Sequence, residues 1–120
     1  MRIAFIGQKG IPAKSGGIET HVDFLSRGLA KLGHEIFVYT RQWYTDKNLA
    51  EYQGVKLISL TTLKTKHFDA IAHSFLASFH AIFHNFDVIH CHGVGPALCA
   101  WIPRLFKPSV KVVVTFHCID

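Results

Sequence analysis

The chain has 120 residues, 49% hydrophobic and 18% charged, a size that suits one core and a balance that excludes a disordered tail. Lys and Arg outnumber Asp and Glu by 13 to 8, for a formal charge of +5. That excess favours anionic partners (a nucleotide diphosphate, an acidic membrane face, nucleic acid) without choosing among them.

The first apolar run, at residues 2–7, is too short for a signal peptide before Gly7-Gln8-Lys9 interrupts it. Further runs at 35–40, 55–60, 87–92 and 110–117 are rich in Val, Ile, Phe or Tyr. Several are apolar at consecutive positions, as in Ile3-Ala4-Phe5-Ile6 and Val112-Val113-Val114, the habit of parallel strands buried on both faces. Between the first two runs, Ile18, Val22, Leu25, Leu29 and Leu32 form one helical stripe, and Gly33 supplies a left-handed end. Residues 42–54 read as a polar connection with one helical turn. A second helix is expected over 66–85, with Phe68, Ile71, Phe75, Phe79, Ile82 and Phe86 as its buried stripe and Asp69, His73, His80 and His84 on a solvated face. This stretch falls short of the ~20 apolar residues of a membrane span. A third helix begins near Pro96 and is kinked or ended by Pro103.

Strand, helix, strand, strand, helix, strand, helix, strand is the pattern of an α/β, Rossmann-like three-layer parallel sheet. The expected strand order is 3-2-1-4-5, with ligands outside the C-terminal strand ends near the first and fourth strands. The glycine-rich loop after the first strand is neither a Walker A loop nor the Gly-x-Gly-x-x-Gly dinucleotide fingerprint. This disfavours an NAD-dependent oxidoreductase. Gly16 and Gly17 fall where the first helix starts, so its unpaired amides face the loop mouth and an anion could come close. The same glycines also fit a flexible turn that merely caps the helix.

Of nine histidines, His80 and His84 have the i, i+4 spacing a metal can bridge, but without a third ligand the pair is weak evidence. His90 and His92 alternate onto one side of the fourth strand and Cys91 onto the other, where it reads as core. His117 ends the fifth strand. These three histidines lie at the expected ligand edge, where each can donate hydrogen bonds or gain charge near a diphosphate. Three cysteines without Cys-x-x-Cys spacing read as reduced thiols of a cytosolic protein.

Taken together, Arg2-Ile3-Ala4-Phe5-Ile6-Gly7, Gly16-Gly17-Ile18-Glu19, Lys31-Leu32-Gly33-His34-Glu35-Ile36, Glu51-Tyr52-Gln53-Gly54-Val55, Asp87-Val88-Ile89-His90-Cys91-His92-Gly93 and Val113-Val114-Thr115-Phe116-His117 resemble the N-terminal domain of family 4 glycosyltransferases. Lys66-His67-Phe68-Asp69 and Gly95-Pro96-Ala97-Leu98 resemble a bacterial and archaeal subgroup linked to surface polysaccharide synthesis. The resemblance implies a GT-B enzyme, two Rossmann-like domains facing a cleft. Such an enzyme moves a sugar from a nucleotide-sugar to a saccharide or lipid-linked acceptor, with retention and without a cofactor or bound metal. It implies that Gly16 and Gly17 approach the donor phosphates, that His117 contacts the transferring sugar as the catalytic histidine, and that His92, Glu19 and Lys14 lie on the acceptor and sugar side. Cys118 stands where the family usually has glycine.

Residues 1–120 are then expected to be part of the acceptor-side domain, with the donor-binding C-terminal domain absent, supplied as a separate chain if the enzyme is split, and with little activity alone. The expected setting is cytoplasmic, peripheral at the inner face of the plasma membrane, with no nucleic-acid partner. The alternative is a non-catalytic module that binds an anion or acceptor at a membrane surface.

Overall fold

In the computed structural model, residues 1–14, 16–46, 48–60, 69–92 and 109–115 are described. The elements are β1 (Arg2–Ile6), α1 (Gly17–Lys31), β2 (Glu35–Arg41), β3 (Glu51–Tyr52), β4 (Val55–Leu60), α2 (Asp69–Ile82), β5 (Val88–His92) and β6 (Lys111–Thr115). They build one six-stranded sheet in the order β3-β4-β2-β1-β5-β6. Every pairing is parallel except that of β3 with β4. The expected order 3-2-1-4-5 is present as β4-β2-β1-β5-β6, and β3 extends the sheet at its outer edge.

That extra strand corrects the expectation of a polar connection over 42–54. Gln53 and Gly54 both take positive φ, 47° and 85°, so the chain reverses in two residues and Tyr52 pairs with Val55. Positive φ at both central positions is the geometry whose twist matches a hairpin's flanking strands. Glutamine is a rare choice for the first of them, which hid the hairpin in the sequence. The expected third helix lies outside the described residues, as do His117 and the rest of the fifth run beyond Thr115.

Each sheet face carries its own core. On one, Val22 of α1 packs with Ile3, Phe5, Ile36, Val38 and Leu57, and Ile18, Leu25 and Leu29 close around them. Here the apolar stripe behaves as expected up to Leu29; Leu32, the C-cap, is exposed. Gly33, at φ 96°, ends the helix. Its amide bonds to the Ala30 carbonyl and the His34 amide to the Leu29 carbonyl, the paired arrangement that satisfies the last carbonyls of a helix.

On the other face the expected stripe is met at Phe86, which is buried, but α2 turns Phe79 outward and His73 inward. Ala77 and Ala81 are buried against Phe37, Tyr39, Phe86, Ile89 and Cys91, and His73 and Ser78 are buried with them. Phe79 and Phe83, with Leu76, are exposed, Phe83 at 82%. Phe68 and the side chains of Asp69, Ile71 and Phe75 lie outside the described residues.

The reason is in the sheet surface. Phe37 and Phe86 meet edge to face at 5.1 Å, with the Arg2 guanidinium over both rings. Rings already fill this layer, so the helix approaches with its small side chains. The buried polar atoms of the strand below then need donors. His73 Nε2–H donates to the Thr40 carbonyl at 3.1 Å, and the Tyr39 hydroxyl shares a 2.7 Å hydrogen bond with His80 Nδ1. Histidines satisfy these groups; phenylalanines could not.

Candidate active site

The C-terminal ends of the parallel strands converge beside β1, where the chain turns left to β2 and right to β5. Open α/β sheets bind ligands at this switch point. The loop after β1 and the N-terminus of α1 form one wall, the turn after β2 a second, and the end of β5 a third.

Hydrogen bonds hold the described residues of the loop against β1, β2 and the turn after β2. Buried Gln8 donates from Nε2 to the Phe5 and Tyr39 carbonyls at 2.9 and 2.8 Å, tying the end of β1 to β2. From the β2 side, the Arg41 amide donates to the Lys9 carbonyl at 2.8 Å, and Arg41 Nη2 donates to the Gly7 carbonyl at 3.2 Å. Thr45 Oγ1–H reaches the Ile11 carbonyl at 3.1 Å. The Lys14 amide donates to the Tyr44 hydroxyl at 2.5 Å, and the Lys14 ammonium to the Tyr44 carbonyl. These bonds tie residues 7–14 of the loop to their neighbours.

The two glycines of the turn differ. Gly16, the N-cap, has φ 95°, a conformation side-chain-bearing residues rarely adopt. A Cβ there would stand 2.1 Å from Glu19 Oε1, so the fold itself requires glycine. At Gly17 a Cβ would meet nothing within 4 Å. Among the described residues no side chain caps α1, so its first-turn amides and the positive end of the helix dipole are left at the loop mouth.

At the end of β5, His90 and His92 share the α1 face, and Cys91 is buried in the opposite core. The two imidazoles lie with centroids 4.1 Å apart, both against the Phe5 ring at 5.3 and 5.5 Å. His90 Nε2 and Thr115 Oγ1 of β6 are 2.6 Å apart. His92 is fully buried, and His21 of α1 meets it edge-on at 5.7 Å. The fold thus brings Gly16, Gly17 and His92 to one end of the sheet, with Lys14 on the loop. Glu19 is buried beneath the loop, and His117 lies outside the described residues.

Sequence reasoning missed His21 and the bracing turn of Arg41, Tyr44 and Thr45. His21 follows Gly17 by one helical turn, and that spacing could have placed it beside the loop mouth. Lys9 was missed too; its ammonium lies 5.8 Å from the centre of the Trp43 ring, and Lys14 lies similarly over Tyr44.

The His80–His84 pair is spent on the fold. The rings stack at 4.1 Å, and His84 Nδ1–H donates to the His80 carbonyl at 2.9 Å. Burial, then the neighbouring His84, lowers the His80 pKa from its ordinary value, and burial raises that of the Tyr39 phenol. Among the described residues no group of three His, Cys, Asp or Glu is placed to hold a metal ion, and no helix is long and apolar enough to cross a membrane.

Compared with known proteins, residues 15–120 match the profile of Glycosyltransferase Family 4. No curated protein matches the chain. The matched span takes in Gly16, Gly17, Glu19, His92 and His117 and starts just after Lys14. Since it covers all but the first 14 residues, the chain belongs to glycosyltransferase family 4, as an N-terminal domain.

Proposed function

We propose that this domain forms the acceptor side of a retaining transferase that moves a sugar from a nucleotide-sugar to a saccharide or lipid-linked acceptor in surface polysaccharide synthesis. The observation that carries this reading is the open helix N-terminus at Gly17 beside the His92 edge of β5. There the α1 amides offset charge developing on the departing diphosphate. Gly16 and Gly17 face the donor phosphates and His117 the transferring sugar, with Lys14 on the acceptor side and buried His92 lying beneath it. Donor choice and most of the activity reside in a donor-binding domain outside residues 1–120.

The test is sugar transfer from a panel of nucleotide-sugars, measured for this chain with and without a family 4 donor-binding domain. Transfer that needs both parts and is lost in His117→Ala supports the reading. Full transfer by the 120-residue chain alone overturns the division of labour.

A second reading, a non-catalytic module that binds an anion or acceptor at a membrane surface, is favoured by one observation. Leu76, Phe79 and Phe83 of α2 and the turn after it face outward together, as residues do that enter a lipid interface. Co-sedimentation with anionic liposomes that Phe83→Ser abolishes, without any transfer activity, would favour it.

A further inference from the structure

The glycine loop is held from below by α1 itself. Glu19 and Asp23 stand one helical turn apart, 5% and 8% exposed, and both carboxylates reach back to the loop. Glu19 Oε2 accepts the Lys9 N–H at 2.9 Å, and Asp23 Oδ2 accepts the Ala13 N–H at 3.0 Å. Amides four residues apart on the loop therefore meet carboxylates four residues apart on the helix.

The two carboxylates are balanced differently. Asp23 has a counter-cation, with Arg27 Nε 2.7 Å from its Oδ1. Glu19 forms no ion pair among the described residues. Its Oε1 instead stands 2.1 Å from where a Cβ on Gly16 would be. A buried carboxylate is costly unless hydrogen-bonded, and here the Lys9 amide and the first-turn dipole of α1 offset that cost. Glu19 thus holds the Lys9 amide through one oxygen, and its other oxygen stands in the space that any side chain at residue 16 would need.

We propose that Glu19 is the positioning residue of the anion-facing turn. It latches Lys9 to the first turn of α1 and so sets the loop against the helix start where Gly16 and Gly17 lie. It acts through the loop rather than on the ligand. This rests on the reading of Gly16 and Gly17 as facing a diphosphate.

Glu19→Ala removes both oxygens. Glu19→Gln keeps a carbonyl oxygen to accept the Lys9 N–H but removes the charge, so the two variants separate geometry from electrostatics. Amide hydrogen exchange at Lys9, with Ala13 as the internal reference, reads the latch. Titration with inorganic pyrophosphate, followed at the Gly16 and Gly17 amides by NMR, reads the site.

In Glu19→Ala, Lys9 exchange should rise about tenfold or more with Ala13 unchanged. Pyrophosphate should bind about fivefold more weakly, because the site is no longer preorganised. Glu19→Gln should restore Lys9 protection and bind at least as well as the native chain. The proposal is overturned if Glu19→Ala leaves Lys9 exchange unchanged, or binds as tightly as the native chain. It is also overturned if Glu19→Gln stays as weak as the alanine variant. Should the native chain itself show no pyrophosphate shift, the diphosphate reading falls, and Lys9 exchange still decides whether the latch exists.

Discussion

α1 and α2 cover opposite faces of one sheet, yet they are positioned by different kinds of contact. Beneath α1 the strands present mainly branched aliphatic side chains, Ile3, Ile36, Val38 and Leu57, and the helix answers with a stripe of its own. Its polar residues Glu19 and Asp23 are buried because the loop offers them amides. Beneath α2 the strands present Phe37 and Tyr39, joined by Phe86. The helix there answers with alanines and with histidines whose ring nitrogens meet strand polar groups. The surface beneath a helix that is apolar on several sides decides which side faces in, because rings fill space that only small side chains can share.

The largest effect expected from this contrast is at His73. His73→Ala empties a fully buried site and leaves the Thr40 carbonyl without its donor, lowering unfolding free energy by about 2–4 kcal/mol. Urea denaturation followed by circular dichroism measures it. A change within the noise would mean that α2 presents its phenylalanine side to the sheet after all.

Next comes the pair of glycines. Gly16→Ala should cost about 1–3 kcal/mol, since it meets both a positive φ and the Glu19 carboxylate. Gly17→Ala should be neutral or stabilising by up to about 1 kcal/mol, because alanine suits a helix better than glycine. If Gly17→Ala nevertheless weakens pyrophosphate binding in a stably folded chain, the ligand explains that glycine and the fold does not.

A smaller effect follows from His80. Its folded pKa is lowered, so just below its ordinary value of about 6.5 the unfolded chain binds more protons than the native one. Its contribution is therefore complete above that pH and is lost as pH falls through the lowered folded pKa. Melting temperature should drop on going from pH 7.5 to about 5.5, and His80→Gln should drop less. Equal drops in the two chains would remove His80 from the account.

The smallest effect is expected on the outward side of α2. Phe83→Ser should alter stability by no more than about 0.5 kcal/mol, because its ring is 82% exposed. A large loss would show that this side is covered.

Much of this architecture could be read directly from residues. Consecutive apolar positions in β1 and β2 marked strands enclosed on both faces, whereas the same pattern in β6 did not, since Val113 is 46% exposed. Alternation placed His90 and His92 opposite Cys91, because side-chain direction in a strand follows strictly from position. The end of α1 was legible because Gly33 had a local job, a left-handed turn. Gly16 and Gly17 could be placed at the helix start by the same local logic.

What only the tertiary structure decided involves partners distant in sequence. The rotation of α2 depended on Tyr39 and Thr40, more than thirty positions earlier. The bracing of the loop depended on Arg41, Tyr44 and Thr45. Nothing near Gly16 or Gly17 distinguished them until Glu19 was seen turned back onto one and away from the other. Local sequence states which backbone shapes are cheap, but the side of a helix that faces in, and the amide that a buried carboxylate holds, are settled by whichever long-range contact leaves the fewest polar groups unsatisfied.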